Sequence, residues 1–470
     1  MPIMKLNSLI KNVLFLVLIS FLSCSKNEII PEDIEVNDFV WSAMNAYYKY
    51  QGEIPDLADT KFVTQDELND YLDDFNTPEE LFNSLLYQND IASIISADYN
   101  ELEAAEDVIT TTTGLFLDIA EDEHEGYYAY AKYVIKDSNA YDLGIRNGMI
   151  FTQINGATVT AETNVDIVYT ENVGSLTHAD YVNGSAAANG IITSDILVDV
   201  DSQQNPIVAT NVFNATNSTI GYLAFNHFSN DFSSELNSVF SDFSSNDINA
   251  LILDLRYNTG DGDIEMANYI GSMITGQFEG EVFTKQLWNE KVMTNINNEF
   301  LTTYFPDEIE LEDETSERIN SLGLDTLYCI VSEQTSSISV ILLNALTPYI
   351  NVVLIGEPTG NNNLVSTILY DSDDYTKTGE NFNTNHTYAI QPVVFEAVNS
   401  NNENNALPIN ISINEDDFTL EYGFLGDENE PLTARTIEYL VTGAKPSLAN
   451  PIIVNQKVIS ESANKVFFSF

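Results

Sequence analysis

Apolar residues recur at three- and four-residue intervals through the first part of the chain. Phe39, Val40, Met44, Tyr47 and Tyr48 form one stripe, and Leu81, Phe82, Leu85 and Leu86 form another. This spacing lines one face of a helix, so residues 37–110 are predicted to be a helical segment. Thr64-Gln65-Asp66-Glu67 and Thr77-Pro78-Glu79-Glu80 carry helix-start signals: each sets a Glu three residues after a Thr, and the second has Pro at the first helical position. Asn37 is placed to cap the first stripe. An aromatic stripe on an amphipathic helix reads as core rather than as a ligand cage.

Near residue 111 the period changes. Short apolar runs begin at Gly114-Leu115-Phe116-Leu117. Gly144 to Gly148 then leads into an apolar run, Met149 to Ile154, closed by Asn155-Gly156. A turn feeding a strand that ends in Asn-Gly predicts a hairpin. Residues 157–213 are rich in Asn, Thr, Ser and Ala, and their strands are poorly marked. Beyond about residue 218 the pattern changes again. Ile220–Phe225, Ala250–Leu255, Thr326–Val331 and Val352–Ile355 are apolar runs. Phe232–Phe243, Ile264–Ile274 and Ser339–Leu346, between them, repeat at helical spacing. Such alternation predicts a layered α/β domain. A last helix is expected from about Pro431 to Val441, with Gly443 beyond it as a stop signal. The expected organisation is a helical segment at 37–110, a β domain at 111–213, an α/β core at 214–443 and a tail at 444–470.

The N-terminus adds a location. Lys5 and Lys11 precede the apolar run Val13–Ile19, which ends at Phe21-Leu22-Ser23-Cys24. A charged start, a short apolar core and a small residue before a cleavage point describe a secretory signal, and the run is short for a membrane span. A Cys directly after the small residue resembles the lipobox of bacterial lipoproteins. Residues 1–24 are therefore expected to be a lipoprotein signal, Cys24 its lipidation site and 25–36 a tether. The expected location is outside the cytoplasm, membrane-anchored, on the periplasmic or cell-surface side. The second cysteine, Cys329, lies in the apolar run Leu327–Val331 and reads as a buried thiol. With 72 acidic and 17 basic residues, the formal charge is −55. That field repels phosphate backbones and excludes nucleic acid as a partner.

Three segments carry candidate chemistry, each following a predicted strand. Leu253 to Gly262 runs into a glycine-bearing turn, which suits an anion or oxyanion because such turns aim backbone N–H groups outward. Ser332 to Ser339 places serines at a strand-to-helix turn, where either a nucleophile or a set of helix caps fits. Ile355 to Asn363 is a glycine-asparagine loop. Asp261, Asp263 and Glu265 alternate, but without the full pattern of a calcium loop, and read as helix-start charges. No cofactor or metal is expected.

In this order, the segments resemble those of the tail-specific, or C-terminal processing, serine proteases, closest to the lipoprotein branch. The resemblance implies a ClpP/crotonase-like layered α/β peptidase core. It also implies a PDZ-like domain within 111–213 (core 114–160), whose loop Gly114, Leu115, Phe116, Leu117 grips the C-terminal carboxylate of unstructured peptide or protein tails. It places the nucleophile on Ser337. The oxyanion would be held by the backbone N–H of Ile338 and of Gly260 or Gly262. The third family position falls on Ser366. The family's lysine base falls on Asn362, flanked by Asn361 and Asn363. An amide cannot take a proton near neutral pH. His227, just past a core strand, is the substitute base considered, ahead of Lys377. Two readings follow: a serine peptidase with an altered base, or a binding module that captures tails without cutting them.

Overall fold

The computed structural model describes residues 30–106, 112–135, 138–198, 205–260, 262–311, 315–360, 363–413 and 425–444. Cys24, Asp261, Asn361, Asn362 and the tail from residue 445 lie outside the described residues.

Helices α1 (Glu35–Tyr47), α2 (Gln65–Leu72) and α3 (Pro78–Ser84) form the first unit. Both expected N-caps are made. Thr64 Oγ1 accepts from the Glu67 N–H and Thr77 Oγ1 from the Glu80 N–H, each at 3.2 Å. The glutamates reach back to the N–H groups of Val63 and Asn76, one residue before the cap. Asn37 is not a cap. The helix begins at Glu35, and Asn37 is buried, donating from Nδ2 to the Leu72 carbonyl at 3.0 Å. It thereby satisfies a carbonyl at the end of α2 that has no partner within that helix. The aromatic stripe is core, packed with Trp288 and Phe395 of the main body.

A second unit is an antiparallel sheet in the order β1 (Leu115–Glu121), β2 (Tyr127–Val134), β3 (Ile150–Ile154), β4 (Val173–Val182), β5 (Ser185–Ile196). Asn155 and Gly156 have φ of 53° and 77°, as the expected tight hairpin after β3 demands. A short helix, α4 (Ile167–Thr170), lies beside β1.

The main sheet runs β11-β10-β9-β8-β7-β6: β6 (Ile207–Ala215), β7 (Ser218–Phe225), β8 (Ala250–Asp254), β9 (Thr326–Val331), β10 (Asn351–Gly356) and β11 (Ile411–Ser412). All neighbours are parallel except β6 and β7. The sequence boundary at 213/214 therefore cuts a strand: β6 pairs with β7 along its length, so the α/β unit begins at Ile207. The polar composition of β6 hid it. One face of the sheet buries Leu223, Leu251, Leu253 and Leu327 against α5 (Ser233–Ser245), α6 (Ile264–Thr275) and α7 (Ile338–Leu346). The other buries Ile220, Ile252, Ile330 and Val353 under α8 (Pro431–Thr442). Covering both faces explains why these strands read as continuous apolar runs. The layered α/β expectation holds. Cys329 is buried and free. Among the described residues, no helix is long and apolar enough to cross a membrane.

A buried ionic cluster ties the end of β8 to α8. Arg256 donates to Asp254 from Nε at 3.0 Å and from an η nitrogen at 2.7 Å. Two further bonds, at 2.8 and 2.9 Å, go to both carboxylate oxygens of Glu430. Glu430 also caps α8, accepting from the Thr433 N–H at 2.8 Å, and Tyr222 donates to Asp254 at 2.7 Å. Burial pushes the Glu430 carboxyl up, but Arg256 and the Thr433 hydrogen bonds outweigh it and hold it below its ordinary value.

Arg256→Met would leave two buried carboxylates uncompensated. The expected loss is about 3–5 kcal/mol, read from the urea midpoint. Because the folded-state pKa of Glu430 is depressed, its contribution is intact above the ordinary value of 4.5 and is lost as pH falls through the lower folded value. Melting temperature in wild type should therefore fall more steeply below pH 4.5 than in Glu430→Gln.

Candidate functional site

Four loops leave the carboxyl ends of parallel strands at one edge of the main sheet. They are Asn226-His227 after β7, Leu255–Gly260 after β8, Ser332–Ser337 after β9 and Glu357–Gly360 after β10. This edge is where open α/β sheets place their ligands.

The hydroxyls between Ser332 and Ser339 join the second loop to the third rather than capping α7. Ser332 Oγ donates to the Arg256 carbonyl. Thr335 Oγ1 donates to the Leu255 carbonyl and Ser336 Oγ to the Thr259 carbonyl, both at 2.7 Å. Ser339 Oγ reaches the Asn258 carbonyl at 3.3 Å. These bonds hold Ser337 in an unusual backbone conformation, φ 47° and ψ −122°, at the N-terminus of α7. A non-glycine residue with positive φ costs of order 1–3 kcal/mol, and such residues cluster at functional sites. Ser337 is 7 % exposed. Its hydroxyl makes no hydrogen bond among the described residues.

Of the two candidate glycines, Gly260 lies against the serine. At φ 82°, a Cβ there would come 2.1 Å from the Ser336 carbonyl oxygen and 2.8 Å from Ser337 Cβ. Gly262 instead abuts Phe228, whose carbonyl oxygen a Cβ would meet at 1.8 Å. The two expected donors have internal acceptors here. Gly260 N–H donates to Asn258 Oδ1 at 2.8 Å, and Ile338 N–H to the Gly260 carbonyl at a long 3.4 Å.

Asn362 lies outside the described residues. Ser366 and Asn363 flank the position on its C-terminal side. Both are buried, and Ser366 Oγ and Asn363 Oδ1 have no hydrogen-bond partner among the described residues. His227 is on the same sheet edge as Ser337. Two strand spacings separate β7 from β9, roughly 10 Å, and no hydrogen bond joins the two side chains among the described residues. Burial lowers the His227 pKa to about 4, so the imidazole is neutral at physiological pH. Its Nδ1 lies 3.0 Å from Asn226 Oδ1. Lys377 is occupied elsewhere, paired with Glu103 at 2.6 Å. Among the described residues no cluster of His, Cys, Asp and Glu could hold a metal.

The loop Gly114–Leu117 opens the edge strand β1. Gly114 N–H donates to Thr112 Oγ1 at 2.9 Å and Leu115 N–H to Thr113 Oγ1 at 3.2 Å. Phe116 and Leu117 pair with Tyr133 and Ala131 of β2. The Phe116 ring lies 4.0 Å from that of Tyr169 and 5.1 Å from that of Tyr133. Tyr133 in turn meets Tyr257 of the loop after β8, at 6.2 Å. The small sheet thus rests on a site loop. Sequence reasoning missed Tyr133, Asn226 and Asn258. Their partners across the fold leave no local pattern, though Asn258 sits within the glycine-bearing turn that was singled out.

Two family models match the chain, peptidase family S41 over residues 219–393 and the peptidase S41 N-terminal domain over residues 35–99. No curated protein gives a significant match. Among solved structures, an S41-type protease of Bacteroides fragilis matches with TM-score 0.67 at 18% identity, covering 89% of this chain and 100% of its own. The photosystem II D1 C-terminal processing protease matches with TM-score 0.44 at 15% identity, over 82% of this chain and 94% of its own. The first of these shows the fold, and the two family models, which together span just over half of the chain, show the lineage: the chain belongs to the S41 family of tail-specific peptidases.

Proposed function

We propose that this chain is a serine peptidase acting on unstructured C-terminal tails, with Ser337 as nucleophile. The observation that carries the reading is the conformation of Ser337. A buried serine with positive φ and no hydrogen-bond partner for its hydroxyl among the described residues, braced by four hydroxyl-to-carbonyl bonds, is the kind of strained residue that clusters at functional sites. In this reading the tail docks at Gly114–Leu117 of a PDZ-like sheet and adds to the edge strand β1, a mode of recognition in which main-chain hydrogen bonds supply affinity. Ser337 Oγ attacks the scissile carbonyl. The developing oxyanion takes the N–H groups of Ile338 and Gly260, which must leave their present acceptors to do so. The proton passes to His227, already neutral, through water bridging the gap between them; Asn362 has no basic atom to receive it. The charge of −55 favours neutral or basic tails over acidic ones. Cys24, as lipidation site, would hold the protein at a membrane outside the cytoplasm, and Cys24→Ser should then release it from the membrane fraction.

A second reading, a binding module that captures tails without cutting them, is favoured by one observation. Both expected oxyanion donors are already satisfied by Asn258 and Gly260.

Incubation with an unstructured peptide of apolar C-terminus separates the two. Under the first reading it is cleaved, Ser337→Ala loses cleavage by at least about a thousandfold, and Asn362→Lys raises the rate. Tail binding without cleavage by the wild type would instead leave the module. The pH profile tests the base separately. A base must be unprotonated, so kcat/KM should rise as pH increases through about 4 and be level from there to neutrality. An inflection near 6.5, the ordinary histidine value, would exclude buried His227 as that group.

A further inference from the structure

Asn226 bridges two units of the fold. Its Nδ2 donates to the Tyr133 hydroxyl of the small sheet at 2.6 Å, and its Oδ1 faces His227 Nδ1 at 3.0 Å. A carbonyl oxygen only accepts, so the proton between Asn226 and His227 belongs to Nδ1, and the lone pair of the neutral ring is on Nε2. Tyr133 is itself well held. It is 5 % exposed, is paired in register with Phe116 of the loop strand, and lies against the rings of Phe116 and Tyr257. In this arrangement the phenol oxygen takes an amide N–H of Asn226, which leaves Oδ1 to accept from His227 Nδ1.

We propose that Tyr133 is a positioning residue for His227, acting through Asn226 to hold the imidazole with its proton on Nδ1 and Nε2 as the acceptor. The consequence is that the sheet carrying the tail-gripping loop sets the proton-accepting atom on the peptidase core. Its catalytic meaning rests on His227 being the proton acceptor for Ser337; the positioning itself does not. Burial supports the arrangement, because it keeps the ring neutral and therefore capable of a single tautomer.

The tautomer is directly measurable. The intact protein labelled with 15N-histidine should show the Nδ1–H form for His227 at pH 7, its signals identified by their loss in His227→Gln. Tyr133→Phe, which keeps the ring and removes the hydroxyl, should give mixed tautomers with a melting temperature lowered only slightly by the one hydrogen bond removed. Asn226→Ala should do the same with Tyr133 intact, and decides the matter if the first variant folds poorly. An Nε2–H form in the wild type, or a tautomer that neither variant alters, overturns the proposal. Where the wild type cleaves a tail peptide, Tyr133→Phe should lower kcat about tenfold or more with KM unchanged. A wild type that cleaves nothing would end the peptidase reading, while the tautomer measurement would still decide the positioning.

Discussion

The arrangement of the site depends on one buried contact, the Arg256 guanidinium between Asp254 and Glu430. All three side chains are almost wholly buried, and the guanidinium offsets the cost of burying the two carboxylates. Asp254 ends β8, Arg256 lies in the loop after it, and Glu430 caps α8 on the opposite face of the sheet. The Arg256 carbonyl then receives Ser332 Oγ. Through this contact the helix covering one face of the sheet fixes the loop against which the candidate nucleophile is built. A buried ion pair of this kind is weak evidence for stability; its physical effect is to admit only one geometry.

From that fixed loop the strain at Ser337 follows. Hydroxyl donors from the β9 loop meet carbonyl acceptors of the β8 loop, and Gly260 lets the two backbones approach where any side chain would collide. The turn cannot relax without breaking several bonds at once, so an unfavourable φ persists. The same close packing directs the Gly260 and Ile338 N–H groups onto neighbouring acceptors. In the proposed reaction a substrate carbonyl oxygen would compete with Asn258 Oδ1 for the first and with a longer, weaker bond for the second.

The small sheet is more than an appendage because aromatic rings carry its face onto the site. Phe116, Tyr133 and Tyr257 are in direct succession, and Asn226 converts that packing contact into a hydrogen bond beside His227. Packing of rings positions side chains without electrostatic cost, and this matters in a chain of such high negative charge.

Periodicity and local turn chemistry were legible in the sequence. The helical N-terminal stripes, the two Thr-to-Glu starts, the Asn-Gly hairpin and the alternating strands and helices of the core all express near-neighbour preferences, and these need no knowledge of the fold. For the candidate nucleophile, the residues alone left a nucleophile and a set of helix caps both open, and it was the family resemblance that singled out Ser337. Where the partner is remote, the sequence was silent. Asn37 reads as a cap from its neighbours, yet its amide goes to Leu72. Strand β6 hides in a polar stretch because only its pairing with β7 makes it a strand. Arg256 and Glu430 are 174 residues apart, and Tyr133 and Asn226 are 93 apart. The chain alone thus determined which segments could become helix, strand or turn. Tertiary structure decided which polar groups were buried together, since desolvation and pairing depend on neighbours that only folding supplies.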